Sequence, residues 1–412
     1  MPHRVVLVGS LDTKSDEYRF VLDRLQAAGI ATVMVDTGVL GSPGFQPEVD
    51  RAQVAEAGGT ALSELVERAD RGAALAVMAR GAAAIVSELH ASGRIQGALA
   101  LGGTGGTSIA AAAFRDLPLG FPKLIVSTAA SGNTEAYVGE TDLILAPSVV
   151  DVAGINRISL KILANAAAAM AGMVTAAPLP RIDARPLVAA SMFGVTTPSV
   201  TRARERLEEL GYEVLVFHMT GSGGRAMESL IRQGFFAGVL DVTTTELADH
   251  LVGGVFDAGP SRLTAAAETG TPQVVSVGAL DMVNFGPRDT VPAEFRDRNL
   301  YVHNSSVTLM RTTAAECAEL GAELARKVAA STGPASVLLP LGGISAIAVP
   351  GGPFYDPSAD AALFSAIRSG LAGSSVHLEE LDVSVNDPAF ADAMVDTLHA
   401  HITRLPTPAQ TL

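Results

Sequence analysis

Short apolar runs of five or six residues alternate along most of the chain with longer Ala-rich stretches whose apolar positions recur at helical spacing. Arg4–Gly9 reads as a strand, 15–28 as a helix with Phe20, Val21, Leu22 and Leu25 along one side, and 30–35 as the next strand. The rhythm predicts further strands at 73–78, 97–101 and 123–126. After a Pro-bearing linker over 176–185 a second series opens. It holds strand Leu187–Met192, helix 199–210, strand 213–217, helix 227–233, strands at 237–240 and 273–277, and one long helix over 306–330. The tail from 336 to 412 adds a strand, a Gly/Pro-rich loop, a strand near 377–383 and a helix from Pro388, completing the second sheet. Strands buried on both faces and joined by crossover helices belong to parallel sheets, so the fold class is α/β.

The two series follow one plan. In the first, Gly9 ends a strand, a helix closes at Gly29 and a strand ends at Asp36; in the second, Gly194, Gly211 and His218 take those places. Val126-Ser127-Thr128 is echoed by Val275-Ser276-Val277, and each half then reaches a long Ala-rich helix. Two Rossmann-like open parallel-sheet domains from a duplicated plan are expected, over 1–178 and 186–412.

Composition narrows the classes. The 412 residues are 48% hydrophobic and 17% charged, with a mean hydropathy of +0.33, which excludes a mostly disordered chain. The most apolar stretch, 162–177, carries Asn165 and falls short of a bilayer span, and the first nine residues lack a signal-peptide core. A cytoplasmic soluble protein without a membrane partner is expected. The net charge of −14, with no basic cluster, argues against nucleic acid. The single cysteine, Cys317, excludes an intramolecular disulfide and reads as a buried apolar residue.

Ligands of open parallel sheets sit at the carboxyl ends of the strands. There the run Gly102-Gly103-Thr104-Gly105-Gly106-Thr107-Ser108 stands between a strand and a helix. A turn needs one or two Gly; four expose backbone N–H groups to an anion beside a helix dipole, which favours phosphate over a capped turn. No P-loop pattern occurs. Gly9-Ser10-Leu11-Asp12-Thr13-Lys14 offers Lys14 to phosphate and Asp12 to magnesium or its waters, the alternative being that Asp12 caps the next helix. The 127–133 loop, with Thr128, Ala129, Ser131 and Gly132, and the pair Arg80-Gly81 read either as turns or as further ligand contacts.

In the second half, Gly221, Gly223 and Ala226 fit G-x-G-x-x-A, so a nicotinamide-dependent dehydrogenase stays open. His218, Asp241, Glu246, Asp281 and His303 are expected on one rim, for acid–base catalysis, a metal, or mere capping. No nucleophile elbow and no H-E-x-x-H motif is present.

Six ordered motifs then carry a resemblance. They are the 9–14 run, GGTGGT, Asp151-Val152-Ala153-Gly154-Ile155-Asn156-Arg157, HMTGSGG, DVTTTELAD and the 278–286 run. The chain resembles a family of uncharacterised proteins similar to the ATP-binding N-terminal region of the tomato mosaic virus resistance protein. Ser10 and Ser222 stand where that family more usually has Thr. The resemblance implies ATP with Mg2+ in the first domain and a homodimer or higher homo-oligomer. Its nucleotide site would comprise Asp12, Thr13, Lys14, Arg80, Gly103, Thr104, Gly105, Gly106, Thr107, Thr128, Ala129, Ser131, Gly132 and Asn156. The expectation is an ATP-dependent enzyme acting on a small organic acid at a cleft between the domains. The alternative is a nucleotide-binding sensor or partner-binding module without turnover.

Overall fold

The computed structural model describes residues 3–177 and 185–404, in two compact units divided at residues 180/181. Residues 178–184 of the expected linker lie outside the described residues.

Unit 1 runs β1 (Arg4–Gly9), α1 (Ser15–Ala27), β2 (Ala31–Asp36), α2 (Arg51–Ala57), α3 (Leu62–Arg68), α4 (Arg71–Ala91), β3 (Gly97–Gly102), α5 (Thr104–Phe114), β4 (Lys123–Ser127), α6 (Glu135–Val138), β5 (Ile144–Pro147) and α7 (Arg157–Thr175). Its sheet has the order β2-β1-β3-β4-β5, with every pair parallel. Alternation along β1 decides the layers: Val6 and Val8 share a core with α2, α4 and α5, while Val5 and Leu7 share one with α1 and α7. The chain leaves β1 toward β2 on one side and returns to β3 on the other, so the switch point lies between β1 and β3. Tyr18 is wedged there: its buried hydroxyl accepts the Leu101 N–H at 2.8 Å and lies 2.5 Å from the Val8 carbonyl.

Residues 73–78 are not a strand but part of the 21-residue helix α4. An uncharged Ala/Val/Met run does not distinguish the two by periodicity, and the length of the apolar segment decides for helix. Gly81 serves the crossing of α4 on α2, because a Cβ there would stand 1.8 Å from the Val54 carbonyl oxygen. Among the described residues two helices, Arg71–Ala91 and Arg157–Thr175, are by length and composition long and apolar enough to cross a bilayer, so the 162–177 stretch belongs largely to a longer apolar helix than expected. Both have a buried stripe: Ala74, Val77, Met78, Gly81 and Ala82 turn α4 toward the core it shares with α2 and α5, and Leu163, Ala166, Ala167, Met170 and Val174 lay α7 on the sheet.

Unit 2 runs β6 (Leu187–Met192), α8 (Thr197–Glu209), β7 (Glu213–His218), α9 (Ser222–Arg232), β8 (Gly238–Thr243), α10 (Glu246–Val252), α11 (Ala265–Thr269), β9 (Gln273–Gly278), β10 (Met282–Phe285), β11 (Leu300–Asn304), β12 (Val307–Arg311), α12 (Ala314–Ala329), β13 (Ala335–Pro340), α13 (Pro357–Leu371), β14 (His377–Leu381) and α14 (Pro388–Arg404). Its parallel sheet has the order β14-β13-β9-β8-β6-β7. Taken from the β7 edge in order of appearance, this is second, first, third, fourth, fifth, sixth. The sheet of unit 1 follows the same order and stops at five, so the two open parallel sheets share one topology.

The expected helix over 306–330 divides into β12 and α12. β-branched Val307 and Thr308 favour the strand, and Thr313 with Glu316 forms a capping box that starts the helix only at Ala314. β12 pairs antiparallel with β10 and β11 in a small separate sheet. Helix α13 occupies the end of the expected Gly/Pro-rich loop, started by Asp356 as cap and Pro357 in the first turn. Cys317 is buried in α12, and burial pushes its thiol pKa up.

Candidate functional site

A cavity of about 560 Å3 opens in unit 1 at the carboxyl ends of β1, β2 and β3, at the switch point. Three walls build it. The first is the β1–α1 loop, with Ser10, Asp12, Thr13 and Lys14. The second is the segment after β2, with Thr37, Gly38, Val39 and Leu40. The third is the start of α5, with Gly103, Thr104, Gly105 and Gly106. Leu65, Ala74, Leu75, Met78 and Ile109 give it an aliphatic side.

The Gly-rich run is less of a loop than the sequence implies. Gly102 ends β3, Gly103 is the N-cap of α5, and residues 104–108 are already helical. No side chain caps this helix and its first turn holds no acid, so among the described residues its leading N–H groups and its positive dipole end have no side-chain partner. Gly102 answers to sterics, since a Cβ would meet the Gly106 Cα at 3.1 Å. Gly103 and Gly105 do not: a Cβ at either would find its nearest neighbour at 3.7 and 3.5 Å, ordinary contact distances. Packing asks for neither glycine, and what both leave uncovered is the cavity wall.

The first two walls are stitched together. Asp12 Oδ2 accepts the Val39 and Leu40 N–H groups, each at 3.2 Å. Asp36, fully buried, accepts N–H bonds from Leu11 and Gly38 at 2.9 Å, and its burial pushes its carboxyl pKa up. The Lys14 ammonium bonds the Val152 carbonyl, and Glu17 accepts the Gly154 N–H at 2.6 Å, docking the 151–157 motif on α1. Lys14 and Asp12 therefore hold loops as well as facing the cavity.

Of the expected nucleotide contacts, Asp12, Thr13, Lys14, Gly103, Thr104, Gly105 and Gly106 line this cavity, and the others do not. Arg80 sits in mid-helix and donates to the Gly58 carbonyl at 3.2 Å. Thr107 is buried beneath the wall, with its hydroxyl 2.6 Å from that of Ser127. Thr128 borders Gly103, and its N–H donates to the Gly102 carbonyl at 3.2 Å. Ala129, Ser131 and Gly132 belong to a turn closed on itself, the Gly132 N–H donating to Ala129 at 3.2 Å. Asn156 caps α7, accepting from Ile158 and Ser159. The cation the sequence reading missed is Arg71, in the first turn of α4; taking 73–78 as a strand hid it.

The rim expected in unit 2 is not assembled. Arg262, fully buried, bonds Asp241 through two nitrogens at 2.6 and 2.7 Å, Glu246 at 2.7 Å and Glu228 at 3.3 Å. Burial disfavours its charge, but Asp241 and Glu246 outweigh that and hold its pKa above the usual value. Glu246 in turn accepts the Gly221 and Gly224 N–H groups at 2.7 and 3.1 Å. A carboxylate of the chain itself thus occupies the N-terminus of α9, where the G-x-G-x-x-A reading would put a pyrophosphate. That helix moreover follows the edge strand β7 rather than the first strand β6. Asp281 is buried and takes the Ser345 hydroxyl at 2.8 Å; burial, only partly offset by Arg311, raises its pKa to about 6. His218 is exposed with its ring 5.5 Å from that of Phe193, and His303 is exposed on β11 rather than opening a helix. Among the described residues no group of three or more His, Cys, Asp or Glu is placed to hold a metal ion.

Two family matches divide the chain. Residues 3–178 match the N-terminal domain, and residues 185–402 the C-terminal domain, of an uncharacterised protein family, UPF0261. A UPF0261 protein of Clostridium tetani is 49% identical over 97% of this chain and 98% of its own length. The ToMV resistance protein Tm-1(GCR237) of Solanum lycopersicum is 42% identical over 96% of this chain, which spans 55% of that longer protein. The ToMV susceptible protein of the same species is 41% identical over the same shares, so the likeness does not single out resistance. Among solved structures, a UDP-N-acetylglucosamine 2-epimerase aligns with a TM-score of 0.25 at 12% identity, over 67% of this chain and 79% of that one.

Proposed function

We propose, for a chain that belongs to the uncharacterised protein family UPF0261 in both of its domains, that unit 1 binds ATP with Mg2+ in the switch-point cavity. The observation that carries this reading is the α5 N-terminus. It is uncapped, free of acids and kept bare by glycines the packing does not require, and it forms one wall of a 560 Å3 cavity. That volume suits a small-molecule ligand, and the aliphatic side gives an uncharged group of it somewhere to lie.

Magnesium fits as an ion brought by the nucleotide. Asp12 supplies one carboxylate whose Oδ2 already serves two N–H groups. Among the described residues no group of three or more His, Cys, Asp or Glu is placed to hold the ion, although Asp70 lines the same cavity. Mg2+ commonly takes one or two carboxylates together with phosphate oxygens and water.

The absence of an assembled rim favours binding without turnover over the ATP-dependent enzyme. Asp241 and Glu246 are spent on Arg262, and Asp281 is closed to solvent. A cytoplasmic location and a homodimer form part of the same proposal; sedimentation of the purified chain tests the latter. Calorimetric titration of the full chain with MgATP, followed by nucleotide analysis after long incubation, tests the main reading. One site per chain and intact ATP are expected. ADP or AMP produced with a small organic acid would restore the enzyme.

A further inference from the structure

The geometry points to Arg71 as the residue that clamps the anionic end of the ligand against the first turn of α5, with the 71/74/75/78 face of α4 carrying the uncharged part. This rests on the nucleotide reading of the same cavity.

Helical spacing makes the face. Arg71, Ala74, Leu75 and Met78 stand at i, i+3, i+4 and i+7 of α4, and all four line the cavity. One stripe of a single helix thus presents a guanidinium at its first turn and aliphatic groups over the next two. The facing element is the start of α5: a Cβ built on Gly105 would lie 3.5 Å from Leu75 and 3.8 Å from an Arg71 guanidinium nitrogen. An anion held on the leading N–H groups of α5 would therefore have Arg71 within reach.

The other cations are committed elsewhere. The Lys14 ammonium bonds the Val152 carbonyl and Arg80 the Gly58 carbonyl. Asp70, beside Arg71, caps α4 by accepting the Ala73 N–H at 3.0 Å and does not pair with it. Among the described residues no hydrogen bond or ion pair engages Arg71. Its planar fork of donors suits two oxygens of one phosphate, which a lysine ammonium does not match. The chemical class that fits is an organic phosphate whose uncharged body runs from the phosphate along α4. Arg71 then sets the preference for phosphorylated over unphosphorylated ligands.

The test is calorimetric titration of the full chain with MgATP, AMP and adenosine, for wild type, Arg71→Ala and Arg80→Ala. The exposed, unpaired Arg71 can be truncated without loss of fold, and an unchanged thermal midpoint verifies this. Arg71→Ala is expected to weaken MgATP about ten- to hundredfold and to leave weak adenosine binding as it is. Arg80→Ala is expected to bind like wild type. Undiminished MgATP affinity in Arg71→Ala, equal losses in both variants, or an equal loss for adenosine would overturn this inference while leaving the nucleotide site standing. A wild-type chain that binds none of the three ligands would overturn both.

Discussion

Two helix N-termini of this molecule, α5 in unit 1 and α9 in unit 2, solve the same problem in opposite ways. Each follows a parallel strand through a Gly-rich run and each has leading N–H groups that need an acceptor. At α9 the chain supplies that acceptor: Glu246 takes two N–H groups and is held by the buried Arg262, which also pairs with Asp241 and Glu228. At α5 no side chain of the described residues does so, and a cavity opens instead. The lesson is that a glycine pattern marks a place where an anion can sit, while burial and charge around it decide whether that anion is internal or a ligand.

The strongest way to break this contrast is to remove the hub of the filled terminus. Arg262→Met leaves the buried Asp241 and Glu246 without their cation and Glu228 with only Arg232 at 3.9 Å, at a cost of about 3–5 kcal/mol. Denaturant unfolding followed by circular dichroism is expected to show unit 2 lost or severely destabilised. A shift under about 1 kcal/mol would mean that the network is incidental.

Next in size is a pH effect confined to unit 2. Burial raises the Asp281 carboxyl to about 6 in the folded state, against 3.8 for a solvated aspartate. The folded state thus binds the proton more tightly, so this group's contribution to stability falls as pH rises from about 4 to 6 and then stays lost. Asp281→Asn removes that dependence. Relative to wild type, the variant should gain on the order of 2 kcal/mol between pH 4 and pH 8 in paired unfolding curves. A constant difference across that range would contradict the burial account.

The smallest effect sharpens the open terminus. Gly105 is helical, with room for a Cβ. Gly105→Ala should therefore raise stability by about 0.5–1 kcal/mol while weakening MgATP. Lower stability with unchanged affinity would return this glycine to a packing role.

Much of the fold was legible because burial on both faces writes itself as short apolar runs: Leu187–Met192 was placed without error, and the shared strand order follows from the repeated spacing. Two things hid. An Ala-rich run such as 73–78 has no periodicity to separate strand from helix, which concealed α4 and with it Arg71. Charge pairing across sequence was the other: nothing around Arg262 in the sequence tells that it will be buried among Asp241, Glu246 and Glu228, so two of these acids are expected on an open rim where the structure buries them in ion pairs. The glycine-rich wall at α5 was legible because it needs only local residues; the contacts at Arg80, Thr107 and Asn156 were not, because each side chain is spent on a tertiary or capping bond.

The most direct test makes unit 1 imitate unit 2. Gly105→Asp places a carboxylate in the first turn of α5, within reach of Arg71, where it complements the helix dipole as Glu246 does at α9. Titration of wild type and variant with MgATP, alongside their thermal midpoints, reads both consequences at once. The account predicts one MgATP site per wild-type chain, none in the variant, and a midpoint that holds or rises. A variant that stays folded and binds MgATP as tightly as wild type would contradict it.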